Sequence, residues 1–585
     1  MILQALTGYY ERMINEGTTD LEPEGFKRIA IPFIIVVKKS GRFVGLDDTR
    51  TAEGKRNVAR TFIVPKIFEG SRTSNVQANL LWDKASYVFG VGPKSKKERL
   101  KKQKEEFLKT ILTYFPNKNI DEGVLAVINF LEKYQEEIKD HDLWAEIKDA
   151  DPNLAFRLES ETTLICNRAA VKDAIANNNT KSDSVKGICL VSGRHSELAR
   201  LENPIKGLWG SGKAESHLVA FNDPAYWSYG KSYGSNAPIS KSASFAYTAA
   251  FNYLQRRGSR QCLQVADATT VFWAAKAHKM EDWFIDFFGE PIGGKAEQDY
   301  SSVKALYSAP NAGASPLQED VTPFYVLGLA PNAARISVRF WYEKTVGQVA
   351  RHIKQHFDDC AIVHGPKYPD YLSLFRLLVS TAVQGEAKNI QPNLSGEVMK
   401  AILAGTPYPS VLLIATLNRI RAEQSKHDPK SGKQLDNVSY PRAALIKAVL
   451  SRESRFYKKV EKEVTMSLDR SNENVGYLMG RLFAVLERAQ EFANPGINAT
   501  IRDRFYGAAS STPVAVFPHL MKLKNHHIAK LENKGMAVNM EKQIGEIVAG
   551  INDFPAHLSL ADQGRFAIGY YHQRQDFFTK KETSD

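Results

Sequence analysis

Residues 202–254 read ENPIKGLWGSGKAESHLVAFNDPAYWSYGKSYGSNAPISKSASFAYTAAFNYL. Glycines recur at 207, 210, 212, 230 and 234. Aromatics stand between them at Trp209, Tyr226, Trp227, Tyr229 and Tyr233, and Lys206, Lys213, Lys231 and Lys241 add positive charge. Glycine lets backbone come close to a ligand, ring faces accept bases or cations, and ammonium groups hold phosphate. Helical spacing of small and apolar residues begins only at Ser242 and runs to Arg257. The stretch therefore reads as a working surface that ends on a helix.

Inside it, Gly207-Leu-Trp-Gly-Ser-Gly212-Lys213-Ala214 follows the phosphate-loop pattern up to its last position. That position needs a hydroxyl for magnesium, and alanine has none. Such a loop also opens a helix, whereas Ser216 to Phe221 reads as a short strand. A second enzymatic pattern is His352-Ile-Lys-Gln-His356, followed by Asp358, Asp359 and Cys360. The zinc-protease spacing has Glu in second place, where Ile353 stands. A nucleotide hydrolase at 207–213, or a metal-dependent nuclease using His352, His356 and Asp358, is thus the enzymatic alternative. Both lack a required group.

Outward from this stretch, 585 residues imply several domains, and no run approaches the ~18 apolar residues of a membrane span. The N-terminus lacks a basic-then-apolar leader. The four cysteines, Cys166, Cys189, Cys262 and Cys360, stand at no metal-finger spacing, which suits a reducing cytoplasm. Net charge is +13 and unevenly spread: residues 1–120 carry 22 Lys+Arg against 13 Asp+Glu, residues 466–585 carry 14 against 13. The front of the chain suits a polyanion and the back a protein partner.

Periodicity predicts a helix over 3–15, strands over 30–37, 61–64 and 86–91, and helix over 122–148. Strand character returns near 163–166 and 187–191, and again at 269–273 and 334–341, where Arg335 and Arg339 share a face. Pro93 to Lys109 carries eight Lys+Arg against three Glu, a solvated helix face or a strip that tracks phosphates. Between the early strands lies Glu69-Gly-Ser-Arg-Thr-Ser-Asn-Val-Gln-Ala-Asn79, whose side chains suit base edges in a DNA groove as well as a solvated turn. After residue 345 the pattern is helical. Val475, Leu478, Met479, Leu482, Phe483, Leu486, Ala489 and Phe492 form one apolar stripe. The expected fold is α+β, with mixed-sheet N-terminal and central regions followed by a C-terminal helical bundle. The boundaries are 1–190, 191–345, 346–465 and 466–585.

Four separated segments carry a family resemblance: MILQALTGYYERM at the N-terminus, NPIKGLWGSGKAESHLVAFNDPAYWSYGKSYGSNAPIS, LGLAPNAARISVRFW, and GYLMGRLFAVLERAQ with FYGAASSTPVAVFPHLMKL in the tail. Together and in this order they resemble the large subunit of the type I-C CRISPR Cascade, from end to end. The resemblance implies a cytoplasmic, non-catalytic subunit without cofactor or metal. Its partners would be guide RNA, target double-stranded DNA, the displaced single strand, the backbone, handle-binding and small subunits, and a helicase-nuclease. It would sense the protospacer-adjacent motif and start strand separation while guide pairing reads sequence. The site residues expected on DNA are Arg72, Ser74, Asn75, Gln77 and Asn79 in the groove, with Lys38, Lys39 and Lys66 on nearby phosphates. Lys206, Trp209, Lys213, Tyr229 and Asn236 would hold the displaced strand. The 466–585 tail resembles the small subunit. Lys462-Glu463-Val464 precede Met466, and codons AAG-GAG-GTN there would spell a ribosome-binding site. A start at Met466 yields the last 120 residues (585 − 466 + 1).

Overall fold

The structure is a computed structural model. It describes all residues except 19–20, 54–55, 69–71, 73–74, 94–95, 117–120, 180–184, 212–215, 257, 266, 291–300, 309–316, 333–334, 392, 429–431, 433, 460–463 and 579–585. Two compact units emerge. One comprises Tyr10–Asn203 and Val219–Ala250; the other comprises Met1–Tyr9, Pro204–Leu218 and Phe251–Asp585. We call them the N-terminal and C-terminal units.

The N-terminal unit is built on a four-stranded mixed sheet. Its strands are β1 (Phe33–Val37), β2 (Phe43–Asp48), β3 (Trp82–Lys84) and β4 (Asn153–Leu158), in the order β2-β1-β4-β3. Only β1 and β4 are parallel. All five residues of β1, FIIVV, are buried, as a central strand covered on both faces requires. The run expected as one strand over 30–37 is two. Pro32 has no N–H to donate, so Phe26–Ala30 ends before it and pairs instead with Thr61–Pro65. The 86–91 segment is a correction: Ala85–Val88 is a buried helical turn. The Asp151 carboxylate, distant in sequence, accepts from the Ser86 amide at 2.7 Å, and that cap overrides the strand-like composition. Helix α1 (Lys97–Tyr114) buries Phe107 and Ile111 and turns Lys97, Lys101 and Lys102 to solvent.

Helix α2 (Lys241–Leu254) follows the glycine-aromatic stretch, as expected. The C-terminal unit then opens with an antiparallel sheet of β5 (Cys262–Val265), β6 (Ala268–Ala274), β7 (Pro323–Asn332) and β8 (Arg335–Thr345), in sequence order. A bulge falls at Arg339, between the Val338–Leu329 and Phe340–Gly328 pairs, so Arg335 and Arg339 do not share a simple alternating face. Arg339 is paired with Asp267.

From Thr345 onward the described chain has no further strand. Thr345 caps α3 (Val346–Cys360) through a reciprocal box with Gln348. Helices α4 (Leu394–Ala404), α5 (Tyr440–Phe456), α6 (Val475–Ala493) and α7 (Leu560–Asp576) follow, with shorter helices between them. The expected apolar stripe on α6 is too narrow a description. The helix is buried almost all round, from Gly476 to Glu487. Its closest neighbour, α7, approaches along Gly476, Gly480 and Gly569. A Cβ at Gly480 would lie 2.0 Å from the Phe566 carbonyl oxygen, and one at Gly569 would lie 2.1 Å from that of Tyr477. One hydrophobic core runs from Leu263 through Ile446 to Tyr571, so the sheet, the connecting helices and the 466–585 segment share it. The architecture is α+β, with sheets in the N-terminal and central regions and a helical C-terminal region. Among the described residues no helix is long and apolar enough to cross a membrane.

Candidate nucleic-acid interface

The segment leading into β3 is shaped by one buried carboxylate. Asp83 is fully buried. Its Oδ1 accepts from Arg72 Nη1 at 2.6 Å and from the Lys84 amide at 2.8 Å, and its Oδ2 accepts from the Asn79 amide at 2.8 Å. Burial pushes the Asp83 carboxyl above its usual range, opposed by the Arg72 charge and these donors. The Arg72 guanidinium is also sandwiched, 4.7 Å from the Phe68 ring and 4.6 Å from the Tyr87 ring. Arg99 donates to the Arg72 carbonyl at 2.9 Å. Leu81, buried, adopts a left-handed backbone (φ 61°), held by Trp82 Nε1 donating to the Pro65 carbonyl at 2.9 Å on one side and by Asp83 on the other.

This frame sorts the expected groove residues. Arg72 and Asn79 are built into the loop; Asn79 is buried and its Oδ1 has no partner. Asn75 is exposed and Gln77 half-buried. Ser74 lies outside the described residues. Lys66 donates to Asn203 Oδ1 at 3.0 Å. Lys38 and Lys39 are exposed on the turn after β1. Lys39 is ion-paired with Glu122 at 2.8 Å. Gly41 closes that turn at φ 93°, where any Cβ would meet Asn129 at 2.5 Å. Because β3 runs antiparallel to β4 and β1 parallel to it, the chain enters β3 from the end of the sheet at which β1 leaves. The lysine turn and the Asn75–Gln77 loop thus meet one end of the sheet.

The glycine-aromatic stretch is divided between the two units. In the C-terminal unit, Ile205 and Leu208 are buried anchors, while Lys206 and Trp209 point out. The Trp209 amide donates to Thr269 Oγ1 at 2.9 Å, and the Ser211 amide to the Leu208 carbonyl at 3.1 Å. The Lys206 amide donates to Asn252 Oδ1 at 3.2 Å. A backbone tied down at each side thus displays an indole that is 62% exposed. Lys213 and Ala214 lie outside the described residues. Beyond them Ser216 and His217 form isolated bridges, to Ile205 and Arg335, and no helix opens there. The strand expected over 216–221 is limited to those two bridges.

In the N-terminal unit, Tyr229 is 98% exposed at φ 53°. Asn236 holds that loop from within: its Oδ1 accepts from the Ser228 amide at 3.0 Å, and its Nδ2 donates to the carbonyls of Tyr233 at 2.9 Å and Lys231 at 3.2 Å. Sequence reasoning missed Arg200, whose guanidinium lies 4.0 Å over the Tyr233 ring, and Lys27, 4.8 Å over Trp82. Neither belongs to a local motif.

The candidate metal residues diverge. His352 Nδ1 meets the Leu403 carbonyl at 2.7 Å, His356 Nδ1 meets the Tyr408 hydroxyl at 2.6 Å, and Asp358 accepts from Tyr307 at 2.8 Å and pairs with Lys354. Burial first, and the Arg452 charge second, lower the His356 pKa to about 3. Among the described residues no three His, Cys, Asp or Glu side chains are grouped to hold a metal ion.

A comparison with curated proteins finds no match to this chain. A comparison with family profiles matches residues 6–578, nearly the whole chain, to the family described as CRISPR-associated protein (Cas_Csd1). The match spans both units and the surfaces just described, and the chain belongs to the Cas_Csd1 family of CRISPR-associated proteins.

Proposed function

We propose that the chain is the large, non-catalytic subunit of a type I-C guide-RNA surveillance complex in the cytoplasm. In this reading it senses the protospacer-adjacent motif in duplex DNA, promotes strand separation, holds the displaced strand and helps recruit the helicase-nuclease. The observation that carries it is the buried Asp83 paired with Arg72 beside accessible amide side chains. Asp83 and Arg72 fix the loop, and Asn75 and Gln77 are the amide side chains it leaves accessible. Paired amide donors and acceptors suit base edges, and a preordered loop loses less entropy on binding. Arg72 and Asn79 act here as positioning residues, and Ser74 keeps its expected groove contact. Lys38, Lys39 and Lys66 supply phosphate contacts.

For the displaced strand, Lys206 and Lys213 supply charge, Trp209 and Tyr229 supply stacking faces, and Asn236 shapes the Tyr229 loop. Stacking on such rings is worth ~1–3 kcal/mol per base. Guide RNA, the backbone, handle-binding and small subunits are the further partners, and Met466 is a second start that yields the small subunit. The test is salt dependence. Replacing Lys206 and Lys213 by Ala should weaken binding to all duplex targets and lower the slope of log K against log salt by about 0.7 per lost phosphate contact. An unchanged slope removes these lysines from the interface. For Met466, loss of the short product on recoding that codon is the expected result, and its persistence would refute the second start.

A further inference from the structure

A cavity of about 550 Å³ opens among the helices of the C-terminal unit. It is lined by Arg351 and His352 of α3, by Gly405 just beyond α4, and by Arg452, Arg455 and Phe456 of α5. Its floor is cationic. Arg452 is buried, and its Nε donates to Asp359 Oδ2 at 2.9 Å. Arg455 Nη2 donates to the same carboxylate, to Oδ1 at 2.8 Å. One carboxylate thus serves two guanidiniums. The buried Lys447 ammonium stands close by, donating to the Asp359 carbonyl at 3.1 Å. Arg351 adds a third guanidinium at the wall, exposed and in no ion pair among the described residues.

The Arg452 guanidinium is held below the surface, 4.4 Å over the Tyr408 ring with Nη1 donating to the Ala401 carbonyl at 3.3 Å, so it supplies charge to the cavity. A further observation points to a ligand. At the rim, Phe456 is 53% exposed and Tyr457 61% exposed, their rings 5.2 Å apart at 81°. Exposed neighbouring rings beside a guanidinium cluster suit a flat base attached to a phosphate. The small wall residue matters too: a Cβ at Gly405 would come within 2.8 Å of His352 Nε2 and push the imidazole from its place.

We propose that this cavity binds the phosphate of a nucleotide, with its base against Phe456 and Tyr457. The oxygens accept from Arg455 and Arg351, with the Arg452 charge beneath them. A phosphate ester bearing a base comes either from a single strand of nucleic acid or from a free mononucleotide, and the two arms of the test separate these sources. In one, a single-stranded oligonucleotide of about ten nucleotides carrying 5-iodouracil is photocrosslinked to the full chain and the crosslinked peptides are mapped. In the other, AMP is added and thermal unfolding of the chain is followed. The position of the crosslink is read rather than overall affinity, so failure here is distinct from failure of the Trp209 or Tyr229 surfaces.

Crosslinking at Phe456–Tyr457, reduced about 5-fold or more in Arg351→Gln and in Phe456→Ala, supports the site with a strand as its ligand. Stabilisation by AMP that Arg351→Gln abolishes supports it with a mononucleotide. Both substituted residues are exposed, so the fold is expected to survive; Arg455→Gln is the confirming variant. If neither arm responds, or if the variants respond as the wild type does, the proposal is overturned.

Discussion

Gly480 and Phe566 bring the backbones of α6 and α7 together so closely that no side chain fits between them: a Cβ at 480 would stand 2.0 Å from the Phe566 carbonyl oxygen. Gly480→Ala should therefore force the two helices apart. Overpacking typically costs about 1–3 kcal/mol, and here the obstacle is backbone, which cannot swing aside. Gly545→Ala is the control. It lies in the helix Lys534–Val548 with open space around it, and alanine there should stabilise by up to about 1 kcal/mol. Denaturant unfolding of the two variants should move in opposite directions; equal behaviour would contradict this packing.

The Asp83 carboxylate makes a second prediction. Asp83→Ala leaves the Asn79 and Lys84 amides without their acceptor and Arg72 without its counter-charge. Breaking such a buried pair costs about 3–5 kcal/mol. Amide hydrogen exchange should accelerate over 75–84, and duplex binding should weaken although Asp83 is not expected on DNA. Unchanged exchange over that segment would show that the loop is held by something else.

Between pH 5 and 6 the two units should respond to pH with opposite sign. Burial lowers His356 and His572 to about 3 from an ordinary 6.5, so the native C-terminal unit binds fewer protons than the unfolded chain between those values. Its stability is full above pH 6.5 and is lost as pH falls toward 3. In the N-terminal unit, burial raises Glu202 to about 7 from an ordinary 4.5, partly offset by hydrogen bonds from Ser244 and Tyr247. There the native state holds the extra proton, so this contribution is present below pH 4.5 and is lost as pH rises through about 7. Hydrogen exchange resolved by unit, from pH 5 to 6, should show this divergence, because above that range the Cys189 thiol, which burial raises but its hydrogen bonds lower to about 6, opposes Glu202 within the N-terminal unit; Glu202→Gln should flatten the N-terminal response there. Parallel profiles would contradict it.

Much of this fold was legible in local pattern. Buried strands such as Ala268–Ala274, the helix Ile2–Asn15 and the helical region after Thr345 announce themselves by period and capping. What local pattern does not carry is long-range pairing. Nothing near Ser86 signals that Asp151 will cap it into a helix. Gly476 and Gly480 read as gaps in an apolar stripe until α7 is laid against them. The candidate interface divides in the same way. Trp209 and Tyr229 are as exposed as glycine-aromatic composition suggests. The inward role of Arg72 depends on Asp83, Phe68 and Tyr87 converging on it, which only the fold supplies.

The most direct measurement compares the guide-loaded assembly containing Asn75→Ala/Gln77→Ala with the wild type on two targets. One is a duplex bearing the cognate adjacent motif, the other a guide-complementary single strand. Binding to the duplex should weaken at least about 10-fold, since each good base contact is worth about 1–3 kcal/mol, and binding to the single strand should change little. Equal losses on both targets, or none on the duplex, would contradict it.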